Sequence, residues 1–389
     1  MSNAVEVAGH RLRLLRCGEE YFPRLIAAVD GAEKAVYLET YIYASDQSAR
    51  TVTDALIRAA RRGVAVRLLV DGFGSLSLPR DWVKEMRESG VQVLRFRPQL
   101  TWFTLRRHRL RRLHRKLVVV DSRIAFVGGI NIIDDTSDDP SMPPRLDYAV
   151  EIEGEVVSRI EVAMRRLWRL VRWSHLRIRG NRNGFSLRRP RMTQRKVEFV
   201  YRGSLHHRHD IERAYLRAIA AARHEILIAN AYFLPGHRFR RALRRAARRG
   251  VRVVLMLQGP TDHITARWAT LALYDELLGA GIEIYEYEAS FMHAKVAVID
   301  GRWTTVGSSN IDPFSLWLAR EGNLVVRDEA FAAVVHASLM REIEHGSRLI
   351  RHSAWIHRLF IARIMPRISY AIVRVIIALV GYHDERDTL

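Results

Sequence analysis

The sequence predicts an α/β protein made of two duplicated α/β/α domains. Each is a mixed sheet flanked by helices, and the two are related by a pseudo-two-fold with one active site between them. Three observations predict this. A set of landmark residues occurs twice with the same internal spacing, both halves alternate helix and strand signals, and a stretch without periodicity separates them.

The first copy of the landmarks runs from His114 through Lys116 and Asp121 to Gly128, Gly129 and Asn131. The second runs from His293 through Lys295 and Asp300 to Gly307, Ser308 and Asn310. Lys follows His by two positions and Asp follows Lys by five in both copies. Leu117–Val120 and Val296–Ile299 lie between landmarks and read as short buried strands. Residues two apart on a strand share a face, so each His and Lys should project together. An imidazole beside an ammonium, with an Asn amide nearby, suits attack on a phosphorus that carries anionic oxygens. One His-x-Lys alone would be an ordinary surface pair; two copies with matching spacing and Gly-rich turns point to chemistry.

In chain order, residues 21–32 form an amphipathic helix, 35–43 a strand, 51–62 a helix stopped by Gly63, and 64–70 a strand. Residues 81–89 and 91–96 repeat the helix–Gly–strand sequence. Residues 161–173 have helical period, with Met164, Leu167, Trp168 and Val171 on one side and arginines elsewhere. The second half echoes the first: Ala242–Val251 echoes Ala55–Val64, with Arg244 in the place of Ile57, and Glu225–Asn230 echoes the strand beginning at Ala35. Residues 271–279 and 282–287 then lead into His293. The domains are placed at 1–185 and 186–352, with the boundary where Arg, Gly, Asn and Pro replace any pattern between 178 and 196.

These residues resemble the phospholipase D superfamily with both of its motifs in one chain, and within it the bacterial cardiolipin synthases of the short B type. The flanks agree: Tyr37-Leu38-Glu39, Asp71-Gly72-Phe73-Gly74, His207-Arg208 with Asp210-Ile211-Glu212, Ala231 to Gly236, and Gly307 to Pro313 leading to Glu321. The resemblance covers about residues 10 to 350. It implies a phospholipase D-like fold in each half and a two-step displacement at phosphorus, with His114 as nucleophile and His293 as acid and then base. It implies that Lys116, Lys295, Asn131 and Asn310 hold the phosphate oxygens, with Gly129 and Ser308 in the supporting turns. Asp121 and Asp300, members of the motif, are expected to organise structure. A carboxylate behind each imidazole should set its tautomer. Glu321 is expected to serve in the second half and Asp147 in the first. Glu39 and Tyr41 either line the pocket or merely end a strand.

The implied reaction joins two phosphatidylglycerols into cardiolipin and releases glycerol. Other phospholipase D-type chemistry on phospholipid or nucleic acid is the alternative, and a membrane-binding module with a dead site a third reading. Donor and acceptor stay open. No metal or other cofactor is expected, since two lysines already supply cations. His206, His207 and His209 with Asp210 could be read as a metal cluster, but capping and pocket polarity account for the run equally well.

Composition bounds the rest. With 48% hydrophobic and 27% charged residues the chain is globular, and the lone Cys17 excludes an internal disulfide or Cys-based metal site. A net charge of +21 calls for a polyanionic partner, nucleic acid or acidic lipid. The basic stretch from Trp102 to Arg115, which opens on Trp102-Phe103, and the amphipathic tail favour a membrane surface bearing anionic phospholipid, with no nucleic acid expected. The polar opening residues carry no signal-peptide pattern. Segment 353–389, with Arg363, Arg367 and Arg374 on one stripe and a Pro366 kink, fits an interfacial helix better than a spanning one; packing on the protein's own surface is the alternative. The expected location is the cytoplasmic side of a bacterial inner membrane, peripherally bound.

Overall fold

The computed structural model describes residues 4–97, 112–136, 142–175, 195–203, 207, 209–259, 264–312 and 319–353. The basic stretch before Arg112, the domain boundary, His206 and the tail beyond 353 lie outside them.

The first half forms an eight-stranded sheet from β1 (Val5–Val7), β2 (His10–Arg16), β3 (Ala35–Thr40), β4 (Ala65–Asp71), β5 (Gln92–Phe96), β6 (Lys116–Val120), β7 (Ile124–Gly128) and β8 (Tyr148–Glu153). The second forms another from β9 (Val197–Arg202), β10 (Glu225–Asn230), β11 (Arg252–Gln258), β12 (Glu283–Tyr287), β13 (Lys295–Ile299), β14 (Trp303–Gly307), β15 (Glu321–Arg327) and β16 (Ser347–Leu349). The order β2-β8-β7-β6-β3-β4-β5 in one is matched by β9-β15-β14-β13-β10-β11-β12 in the other. β1 lengthens the first sheet beside β2, and β16 the second beside β12. The duplication read from the landmarks is therefore a duplication of topology.

Both sheets are mixed. β3, β4 and β5 pair in parallel, as do β10, β11 and β12, through helical crossovers; β6 and β13 run antiparallel to β3 and β10. The helices of the first half are α1 (Cys17–Asp30), α2 (Gln47–Arg61), α3 (Arg80–Glu88) and α4 (Val156–His175). Those of the second are α5 (Asp210–Ala221), α6 (His237–Arg248), α7 (Ile264–Leu271), α8 (Tyr274–Leu278) and α9 (Glu329–Gly346). Asp46 caps α2 by accepting the Ala49 amide at 2.8 Å. Gly63 and Gly250 take left-handed φ of +90° and +85° just past α2 and α6, the conformation that stops a helix and that a Cβ would oppose. The segment 271–279 holds the end of α7 and the short α8.

The halves do not merely touch. One apolar cluster runs through Val127, Tyr148 and Val150 of the first sheet and Val296, Val306, Phe331 and Leu339 of the second. The Tyr148 hydroxyl and Ser338 Oγ are 3.0 Å apart, and Arg16 Nε donates to Glu342 at 2.8 Å. Burial on this scale, at about 25 cal/mol for each Å² of apolar surface removed from water, makes a shared core and hence a fixed cleft.

Candidate active site

Lys116 and Lys295 open β6 and β13, and each His stands two residues earlier, just outside the strand. These two segments are held by the opposite half. Leu113 forms a parallel bridge with Arg320, and Leu146 forms one with Met292. The His114 amide donates to the Arg320 carbonyl at 3.0 Å, and the Arg320 amide to the Arg112 carbonyl at 2.8 Å. In the symmetric place the His293 amide donates to the Leu146 carbonyl at 2.7 Å, and the Leu146 amide to the Phe291 carbonyl at 2.9 Å.

These short ladders decide the carboxylate partners, and they correct the sequence expectation. His114 Nδ1 lies 3.2 Å from Glu321 Oε2 and 3.0 Å from Oε1, while His293 Nδ1 lies 2.6 Å from Asp147 Oδ2. Each imidazole is thus oriented by the carboxylate of the other half, not its own. Residues 113 and 320 are adjacent in a parallel pair, so the side chains that follow them are brought together. With Nδ1 engaged, Nε2 is the nitrogen left for substrate.

The lysines are almost wholly enclosed: Lys116 is 3% and Lys295 0% exposed. Lys116 Nζ donates to the His114 carbonyl at 2.8 Å and lies 5.5 Å from the Tyr41 ring centre; Lys295 Nζ donates to the His293 carbonyl. Burial pulls Lys116 down to about 7 and Lys295 to about 8, against the carboxylates Glu321 and Asp147. Burial also lowers His114, opposed by Glu321, and lowers His293 well below 6.5, helped by both lysines. Asp147 is pushed up to about 6 by burial, whereas His114, Lys116 and Ser308 hold Glu321 below its ordinary value despite its burial. Both rings are therefore neutral at pH 7 in the free protein, and the two lysines are its titrating cations.

A pH prediction follows. Because kcat/KM reports the free enzyme, it should fall above about pH 7–8 as Lys116 and then Lys295 lose their protons, and fall again at acid pH, below the ordinary imidazole value, as the attacking His114 gains one. A bound phosphodiester favours the ammonium form, so the alkaline limb of kcat should lie at higher pH than that of kcat/KM. A kcat/KM profile flat to pH 10 would show that the lysines are not depressed.

The remaining expected residues divide. Gly129 sits against the Asp147 carboxylate: a Cβ there would come within 2.3 Å of Oδ1, so no larger residue fits without moving the carboxylate off His293. Its counterpart Ser308 instead donates to Glu321 Oε2 at 2.5 Å. Asn131 Oδ1 accepts the Ile42 amide at 3.1 Å, tying the turn after β7 to the end of β3. Asn310 is buried, and its Oδ1 has no hydrogen-bond partner among the described residues.

Asp121 and Asp300 stand apart from this chemistry. They lie at the far ends of β6 and β13, with φ of +52° and +51°. Asp121 accepts the amides of Glu33, Lys34 and Ala35, each at 2.8 Å. Asp300 accepts those of Arg223, His224 and Glu225 at 2.8–3.0 Å. They clamp the loop entering β3 and β10, as organisers. Asp121→Ala is expected to cost about 1–3 kcal/mol of stability through three orphaned amides, with kcat of the folded fraction changed only a few-fold. Thermal unfolding with active-site titration checks this; a large kcat loss at unchanged Tm would return Asp121 to the chemistry.

Around the site, Arg115 and Gln258 were not singled out in the sequence, and the roles of Glu39, Asp71 and Tyr41 were left open there. Arg115, between His and Lys, is 1% exposed and pairs with the buried Glu39 at 3.0 Å. Glu39 therefore supports the site from behind rather than lining a pocket. Asp71 accepts the amides of Leu113, Phe73 and Gly74 at 2.8, 2.9 and 3.1 Å, and Gln258 Oε1 accepts that of Met292 in the matching place. The echo of Asp71-Gly72 in Gln258-Gly259 was the available signal. The Tyr41 ring packs on His114 at 4.9 Å. His207 pairs with Asp210 at 2.6 Å, and His209 lies 3.4 Å from Glu212.

Two duplicated α/β domains that place two carboxylate-backed histidines and two lysines in one cleft define a phosphatidyl- or phosphodiester-transferring enzyme of the phospholipase D superfamily. Comparison with known proteins narrows this. The profile of the cardiolipin synthase, PLD-like domain matches residues 25–168 and 215–343. The chain is 39% identical over 341 residues to cardiolipin synthase B of Escherichia coli strain K12, covering 85% of this chain and 80% of that one. It is 36% identical over 384 residues to cardiolipin synthase B of Salmonella typhimurium LT2, covering 96% and 90%. The chain belongs to the PLD-like cardiolipin synthase family. In fold it is similar to the crystal structure of phosphatidylserine synthase from Haemophilus influenzae Rd KW20, with a TM-score of 0.67 over 97% of this chain and 96% of that one at 12% identity.

Proposed function

We propose that this phosphatidyltransferase moves the phosphatidyl group of one phosphatidylglycerol to the terminal hydroxyl of a second, giving cardiolipin and free glycerol. The observation that carries the chemistry is the pair of imidazoles, each with Nδ1 on a carboxylate of the opposite half. As the anionic phosphodiester enters, His293 takes up a proton from solvent at Nε2; His114 Nε2 then attacks phosphorus, the bond to the glycerol oxygen breaks, and His293 donates that proton to the oxygen. A phosphatidyl-histidine remains. His293, now neutral, takes the proton of the incoming hydroxyl, whose oxygen attacks phosphorus and returns His114 to its free form. Lys116 and Lys295 hold the non-bridging oxygens as charge builds in each pentacoordinate state. Asn131 and Asn310 flank them, and the unpartnered Asn310 Oδ1 is suited to the acceptor hydroxyl.

The enzyme would act while bound peripherally to the cytoplasmic leaflet of a bacterial inner membrane, with domains at 1–185 and 186–352 and an interfacial tail beyond. No helix among the described residues is long and apolar enough to cross a membrane. The test is incubation with labelled phosphatidylglycerol vesicles in excess chelator, with lipid products resolved. Cardiolipin and glycerol should appear in equal amounts. Phosphatidic acid as the sole product would make the protein a hydrolase, and activity that returns only with a divalent cation would remove the two-lysine account.

A further inference from the structure

Exposed large apolar side chains are few among the described residues, and most of them gather at one end of the molecule. Phe73 is 50% exposed and Leu76 66%, both on the loop that follows β4. That loop reaches the catalytic centre directly: a Cβ on Gly74 would meet Tyr41, whose ring packs on His114. From the second half, Phe291 is 37% exposed, only two residues before His293, and its carbonyl is part of the ladder that holds Leu146. Trp173, 54% exposed, ends α4, whose Leu167, Trp168 and Val171 pack with Leu113 and Phe96 at this same end. The opposite end of each sheet carries the Asp121 and Asp300 turns.

Cations accompany these side chains. The Arg112 guanidinium lies 5.4 Å from the Phe73 ring centre, and Arg145 is close enough to oppose the charge on Lys295. The reactive groups are recessed: the side chains of His114 and His293 are 16% and 19% exposed, beneath this rim. A two-chain lipid can reach them by leaving the bilayer, which wets every methylene, or by staying in it while the rim comes down to the headgroups. Apolar side chains mixed with arginine on a protein of net charge +21 favour the second route.

We propose that the catalytic mouth is the bilayer-docking face, with Phe73 and Leu76 of the first half and Phe291 of the second inserted below the phosphates of an anionic bilayer. This rests on the phosphatidyl-transfer reading for its substrate, but docking can be measured without turnover. Cys17 is buried, so a cysteine at Leu76 or at Phe291 can be labelled with an environment-sensitive fluorophore, with Ser158→Cys near the start of α4 as the far-end control. Vesicles of phosphatidylglycerol and phosphatidylcholine should blue-shift the labels at 76 and 291 and expose them to quenchers within the acyl region, leaving the label at 158 unchanged. Vesicles of phosphatidylcholine alone should do far less.

The variant Leu76→Ser should lower the vesicle-bound fraction several-fold. Its turnover of a short-chain phosphatidylglycerol below its micellar concentration should stay within two- to three-fold of the parent, about the scatter of surface changes. Labels at 76 and 291 that stay wet while the protein sediments with vesicles would overturn the docking face. So would a shift produced by raising protein concentration without lipid, which would make this a contact between two copies. Loss of short-chain turnover in Leu76→Ser would place that side chain in the substrate site instead. Insertion without any cardiolipin product would leave the docking face standing and remove the transferase reading.

Discussion

His293→Ala is expected to lose turnover by several orders of magnitude yet still take up a phosphatidyl group on His114. The attacking nitrogen and its Glu321 support remain, so a bond to phosphorus can form slowly while glycerol departs without an acid. The next step then lacks a base for the incoming hydroxyl, and the phosphatidyl-histidine should accumulate. His114→Ala should lose turnover as completely and form no adduct, since groups that act as a unit fail together. Mass spectrometry of each variant after exposure to phosphatidylglycerol, with the modified peptide identified, separates the cases. An adduct on His293 in the His114→Ala protein would exchange the two roles. No adduct in either variant, even after rapid acid quenching, would leave the two-step route without support.

The second large effect tests the crossing of partners between the halves. Glu321→Gln should act on the chemistry of His114, although the two residues are 207 positions apart in the chain. The amide cannot stabilise the imidazolium character that develops on Nδ1–H as Nε2 attacks, so adduct formation should slow by about 10²–10⁴-fold, as such carboxylate-to-amide changes do elsewhere. Asp147→Asn should act on His293, weakening the acid and base, and adduct should build up during turnover. Rapid quenching with quantitation of the phosphohistidine reads both. If each carboxylate served the histidine of its own half, the phenotypes would be exchanged: Glu321→Gln would accumulate adduct and Asp147→Asn would fail to form it.

Much of the fold was legible because duplication leaves two independent copies of each signal. The helix stop at Gly63 recurs at Gly250, the strand at Ala35 recurs at Glu225, and the boundary errors are only a few residues, as where the first helix starts at Cys17 rather than Tyr21. The His and Lys positions were legible for the same reason: a chance pair does not repeat with its Asp and its Gly-rich turn in register. Arg115 was not. Its neighbours His114 and Lys116 face the cleft, and nothing in its type says that a guanidinium on the other side of the chain is buried against Glu39. Asp121 and Asp300 belong to the motif by spacing, but their side chains turn back on the amides of the preceding loop, a local arrangement that spacing alone does not separate from catalysis.

By itself the sequence determined that there are two equivalent sheets, that each delivers one histidine and one lysine, and that a lone cysteine and a large positive charge bound the partners. Those properties are carried by local pattern and composition. Only the tertiary structure decided which carboxylate stands behind which imidazole. The sequence placed Asp147 with the first half and Glu321 with the second; the bridges Leu113–Arg320 and Leu146–Met292 carry each across the two-fold. The physical reason is that residues brought together by a shared hydrophobic core and a two-residue parallel ladder have no fixed separation along the chain, so no spacing could record the exchange.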